Sequence, residues 1–95
     1  MHEYLGFVKM DCSAEELEQV KSEIEEFRLK IPGIVLLTVG INTREEEEFN
    51  LGAHIRFESA AARKAYGSDP VHKSVLDRWR DRIKAASFVE YQIDD

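Results

Sequence analysis

This chain has little cysteine, no excess of basic charge and no long apolar stretch, and each lack removes a class of protein. The single cysteine, Cys12, cannot form an internal disulfide. No apolar run approaches the roughly 20 residues that a membrane-spanning helix requires, and Glu3, Gly6 and Lys9 interrupt the apolar residues near the N-terminus, so no signal peptide is expected there. Only 13 Lys and Arg stand against 19 Asp and Glu, a net charge of -6. That balance argues against nucleic acid and against anionic membrane surfaces as partners, since both demand clustered cations. Three scattered His and one Cys have no zinc-ligand spacing, and the chain has neither a glycine-rich phosphate loop nor a nucleophile elbow. The acidic run Glu45 to Glu48 lacks the spaced oxygen ligands and turn glycine of a calcium loop and reads as a solvated charge run. A cytoplasmic protein working without metal or cofactor is expected.

What remains is enough for one domain over residues 1–95. Hydrophobic residues make up 43% of the chain and charged residues 34%, which is ordinary for a globular protein and too apolar for a disordered one. His2 to Met10 has little helical period and reads as a first strand. Ser13 with Glu16 forms a capping box. Leu17, Val20, Ile24 and Phe27 then recur at three- and four-residue steps, which predicts a helix ending before Ile31-Pro32-Gly33. Cys12, just before that helix, is placed where a thiol pKa is lowered, although no paired His points to a nucleophile. Ile34 to Ile41 is almost uniformly apolar and β-branched, the pattern of a central strand.

A loop over Asn42 to Glu48 leads to a third strand from Phe49 to Phe57, where apolar residues alternate with Asn50, Gly52, His54 and Arg56. Alternation puts His54 on the side away from the helices. Ser59 caps a short helix carrying Ala62, Ala65 and Tyr66, and Asp69-Pro70 starts another with Val75, Leu76, Trp79 and Ile83 as its inner stripe. Phe88 to Ile93 is the fourth strand.

This order is the split βαβ arrangement of α+β, ferredoxin-like folds, with a four-stranded antiparallel sheet. Its helices cover one face of the sheet only. Strands one and two are nevertheless apolar on both faces, Tyr4 and Val8 opposing Leu5 and Phe7, and Leu36 opposing Val35, Leu37 and Val39. An open apolar face of that breadth predicts a homodimer joined through the sheets.

Tyr66 and His72 lie six residues apart across a helix end and a turn, a spacing that lets both enter one pocket. His72 falls in the first turn of its helix, where the dipole favours neutral imidazole, the form that accepts a proton near pH 7. Tyr66 is a hydroxyl donor suited to a substrate carbonyl as an enolate forms. Read structurally instead, the two are a packed core aromatic and a histidine bonded near a helix start.

Lys30-Ile31-Pro32-Gly33, Phe57-Glu58-Ser59 and the segment from Tyr66 to His72 together resemble the stress-responsive dimeric α/β barrel (Dabb) family, and the resemblance runs over nearly the whole chain. It implies the ferredoxin-like fold, the dimeric α/β barrel and a pocket between sheet and helices. One plant member of the family is a polyketide cyclase that needs neither cofactor nor metal. Its functional groups correspond to His2, Tyr66 and His72, which makes His2, with Tyr66 and His72, a candidate catalytic residue. A pocket Tyr of the cyclase corresponds to Ile24 and a third-strand His to Leu51, and the family's frequent His-Pro-x-His is Asp69-Pro70-Val71-His72 here. Three functions follow as alternatives: cofactor-independent acid/base chemistry (cyclase or isomerase) on a polyketide-like or aromatic compound, a non-catalytic binding or stress-response protein whose pocket is vestigial or holds an apolar ligand, and cofactor-independent monooxygenation.

Overall fold

The computed structural model describes residues 1–93. Its elements run β1 (His2–Met10), α1 (Ala14–Glu25), α2 (Phe27–Lys30), β2 (Ile34–Ile41), β3 (Leu51–Phe57), α3 (Ala60–Ser68), α4 (Pro70–Trp79), a 3₁₀ turn (Arg80–Arg82) and β4 (Ile83–Gln92). The four strands form one antiparallel sheet in the order β2-β3-β1-β4, the ferredoxin-like topology expected.

Local chemistry explains where the helices begin. Ser13 accepts from the Glu16 amide while the Glu16 carboxylate accepts from the Ser13 amide, closing the capping box. Ser59 caps α3 through the Ala62 amide, and Asp69 caps α4 through the Val71 amide ahead of Pro70. Gly33 closes the α2–β2 turn at φ 85°, and a Cβ there would lie 2.6 Å from the Cβ of Ala62. Only glycine suits that position, on backbone and on space alike. Asn50 supplies the sheet with a substitute backbone pair: its side-chain oxygen accepts from the Met10 amide and its NH₂ donates to the Met10 carbonyl, both at 2.9 Å.

Several boundaries differ from expectation. Apolar content placed β2 in the middle of the sheet, but β2 is an edge strand. Its hydrocarbon faces up and down rather than sideways: Leu37, Val39 and Ile41 pair in register with Ile55, Ala53 and Leu51 on the helix side, while Leu36 lies on the open side. The expected first helix breaks at Glu26 into α1 and α2. β3 starts at Leu51, because Phe49 and Asn50 belong to the turn into it. Ile83 opens β4 instead of continuing the stripe of α4, since the chain turns at Arg80–Arg82 one helical turn earlier. Leu76 is 39% exposed, so Val75 and Trp79 carry that stripe.

The core lies between the sheet and the helices in two clusters. One joins Phe27, Ile31, Ile34, Ile55, Phe57 and Tyr66; the other joins Met10, Leu17, Val20, Leu51 and Trp79. Phe57 is fully enclosed, a burial that stabilises the fold by about 2–3 kcal/mol. Glu23 on α1 accepts from the Trp79 indole at 3.3 Å and from Arg78, which clamps α1 to α4.

The opposite face of the sheet has no helix over it. Phe7, Val89 and Tyr91 stand 40–51% exposed on that side. Among them lies one polar knot: Glu3, only 1% exposed, accepts from His54 at 3.0 Å and from Arg56 at 3.0 and 3.1 Å. The Arg56 hydrogen bond leads in holding the Glu3 carboxyl below its usual range, against a smaller opposing effect of burial. No helix among the described residues is long and apolar enough to cross a membrane.

Candidate functional site

Between the sheet and helices α1, α3 and α4 lies a cavity of about 350 Å³. Its floor is β1, where residues at even positions face the helices: Tyr4, Gly6, Val8 and Met10. Gly6 is there for space, because a Cβ would come within 2.9 Å of the Tyr4 ring and hydroxyl. The phenol therefore lies flat over the strand.

α3 and α4 bring Tyr66 and His72 together as expected. Their ring centroids are 4.2 Å apart, tilted by 37°, and both residues line the cavity. Phe27 packs edge-on against both, at 6.0 and 5.9 Å. His72 occupies the third position of α4, and its Nδ1 lies 3.4 Å from the Gly67 carbonyl. A carbonyl only accepts, so in that bond Nδ1 carries the hydrogen and, in neutral imidazole, Nε2 carries the lone pair. Burial holds the His72 pKa below the ordinary 6.5, and the Arg63 charge pushes the same way against the Gly67 bond and Asp69. Neutral imidazole was the expected form, and desolvation is its leading cause.

Burial pushes the Tyr4 hydroxyl up to about 12 and the Tyr66 hydroxyl further still. Both stay protonated donors at neutral and moderately alkaline pH. Among the described residues no enclosed side-chain nitrogen or oxygen lacks a hydrogen-bond partner.

His2 does not line the cavity. The β1–β4 ladder sets it opposite Gln92, and it bonds Gln92 through Nδ1 at 2.8 Å and Glu90 through Nε2 at 3.0 Å. Glu90 in turn accepts from Arg63 Nε at 2.6 Å, and Arg63 does reach the cavity. The guanidinium lies over the rings of Tyr4 (5.1 Å) and Tyr66 (5.5 Å). His2 thus sits behind the site, two hydrogen bonds from it.

Tyr4, Arg63 and Glu90 were not legible as site residues in the sequence. Two signals were available: Tyr4 follows His2 by two on a strand, and Arg63 precedes Tyr66 by three on a helix, so each pair shares a face. Glu90 reaches the group through strand pairing alone. Ile24 and Leu51 line the cavity with hydrocarbon. Cys12 departs from expectation, since burial first and Glu16 second raise its pKa. Among the described residues no cluster of three or more His, Cys, Asp or Glu side chains is arranged to hold a metal ion.

A four-stranded antiparallel sheet with helices on one face and a pocket beneath them defines the ferredoxin-like α+β class of the dimeric α/β barrels. Within it, this chain belongs to the Dabb family, the stress-responsive A/B barrel domain, which matches it over residues 2–93. The comparison with curated proteins finds no match. Among solved structures, a dimeric ferredoxin-like protein of unknown function from Bacteroides fragilis is similar at 22% identity and a TM-score of 0.86, covering 97% of this chain and 95% of its own. Enzymes are among the similar structures. A hydroxynitrile lyase from Passiflora edulis has 12% identity and a TM-score of 0.83, covering 99% and 94%. SnoaB, a cofactor-independent oxygenase from Streptomyces nogalater, has 14% identity and a TM-score of 0.77, covering 99% and 93%. At these identities the likeness establishes a shared fold.

Proposed function

We propose that this protein binds a small, largely apolar molecule in the cavity between sheet and helices and carries out cofactor-independent proton transfer on it, of the cyclase or isomerase kind, with a polyketide-like or aromatic compound as substrate. The observation that carries this reading is the contact between His72 and Tyr66 inside a largely hydrocarbon-lined cavity. His72 Nε2 is the base that removes a proton from an acidic carbon. The Tyr66 hydroxyl donates to the carbonyl oxygen that gains charge as the enolate forms. His2 is a positioning residue, acting through Glu90 on Arg63.

The test is turnover of a panel of aromatic and polyketide-like carbonyl compounds by wild type, His72→Ala and Tyr66→Phe. His72→Ala abolishes turnover, and Tyr66→Phe lowers kcat by about a hundredfold, the usual effect of removing one oxyanion donor. Full activity in His72→Ala ends the mechanism. Oxygen uptake during turnover replaces proton transfer by oxygenation.

A second reading is favoured by Ile24 and Leu51, which give the cavity hydrocarbon where a related cyclase has polar groups: the pocket holds an apolar ligand without changing it. Native mass spectrometry separates the two, since a retained molecule that leaves unaltered supports binding alone. In either case the protein works as a homodimer closed over the open sheet face, a reading supported by the exposed Phe7, Val89 and Tyr91 and by the dimeric state of the Bacteroides fragilis relative.

A further inference from the structure

Arg63 is the one Asp, Glu, Lys or Arg side chain lining the cavity among the described residues, and its guanidinium is held on several sides. Nε and Nη2 bond the two oxygens of Glu90 at 2.6 and 3.4 Å, and the rings of Tyr4, Tyr66 and Phe57 lie 5.1, 5.5 and 6.0 Å from its central carbon. Nη1 is left over. It bonds no protein acceptor among the described residues and points along α3 toward Gly67, where a Cβ would stand 3.7 Å from it. Gly67 is four residues beyond Arg63 on the same helix face, and its carbonyl is the one that His72 bonds. The unused donor therefore opens beside the imidazole and the phenol.

We infer that Arg63 anchors an acid group, so that the molecule taken by this pocket is an aromatic or polyketide-like carboxylic acid whose carboxylate accepts from Nη1 while its apolar body lies along the β1 floor. This deepens the pocket reading above and rests on it. Glu90 does not forestall the contact, because it occupies the opposite edge of the guanidinium. An incoming carboxylate meets a donor at about 2.8 Å with its counter-charge behind it. The Arg63 charge is felt inside the cavity despite Glu90: it lowers the His72 pKa and opposes the rise of both phenols. The guanidinium is also ordered in advance by its ring and carboxylate contacts, so little side-chain freedom is lost when the ligand arrives.

Naphthoate and naphthamide have the same rings and differ in charge, which makes them suitable probes for titration calorimetry and for NMR of the His72 and Tyr66 ring signals. Wild type binds naphthoate about tenfold more tightly than naphthamide, the usual gain from a charge-assisted hydrogen bond. Added salt weakens naphthoate and leaves naphthamide unchanged. Arg63→Gln binds both equally, at the affinity of naphthamide for wild type. Gly67→Leu keeps Arg63 but sets hydrocarbon over Nη1; it loses the same preference and serves if Arg63→Gln does not fold. Equal binding of acid and amide by wild type, or a preference that survives Arg63→Gln, overturns the inference while the pocket reading stands. Failure of both probes to perturb the His72 and Tyr66 signals overturns the two together.

Discussion

At the scale of single residues, the site depends on how neighbours set the protonation of His72. Its folded pKa lies below 6.5 through burial, with help from the Arg63 charge. Two consequences follow. An NMR titration of the imidazole gives a midpoint below 6.5 in wild type, and Arg63→Gln moves it upward because a repelling cation is gone. A midpoint unchanged by that substitution removes Arg63 from the electrostatics of the site. For stability the sign is equally definite. The unfolded state takes up the His72 proton first as pH falls, so the contribution of neutral His72 is complete above 6.5 and is lost as pH drops through the folded value. Any activity based on His72 follows the same rising limb. Tyr66, pushed far above the ordinary phenol value, adds no falling limb below pH 10.

At the scale of elements, the turn between α2 and β2 is the point least open to change. Gly33 combines φ 85° with a 2.6 Å approach to Ala62, and its carbonyl accepts from the Glu58 amide at 2.9 Å. Gly33→Ala therefore forces either the backbone or α3 to move and costs about 2–3 kcal/mol, measured by urea denaturation. A loss below 1 kcal/mol, roughly the ordinary Gly-to-Ala scale, shows that the turn relaxes freely. Because α3 carries both Arg63 and Tyr66, the same substitution disturbs the cavity. Ser13→Ala removes the cap of α1 for about 1 kcal/mol and leaves the cavity intact.

At the scale of the whole molecule, the open face of the sheet dominates. Leu5, Phe7, Val89 and Tyr91 share that side of β1 and β4 in register, and three of them are 40% exposed or more in one chain. A pair of copies covering this face removes that hydrocarbon from water at roughly 25 cal/mol per Å². Phe7→Glu sets a charge on this face and converts the proposed dimer to monomers in sedimentation at micromolar concentration, with the helical signal unchanged. A wild-type chain that sediments as a monomer, or a Phe7→Glu chain that stays paired, dismisses the sheet-to-sheet dimer. Glu3 lies on the same side, and its folded pKa is depressed, so its contribution is present above 4.5 and lost as pH falls through the folded value. Acid therefore weakens this face.

Strand and helix order, the caps at Ser13, Ser59 and Asp69, the two-faced apolar character of β1 and the nearness of Tyr66 to His72 were all determined by residue order alone, because each rests on short-range periodicity or on a turn of known reach. β2 as an edge strand was not, since apolar content records how many faces a strand buries and says nothing of its neighbours in the sheet. Nor was the route from His2 through Glu90 to Arg63, which exists only because antiparallel pairing sets Tyr4 opposite Glu90 and so joins the two ends of the chain behind one cavity. Long-range register is decided when the sheet assembles, and that is where the fold placed the charged group that the sequence left among its surface residues.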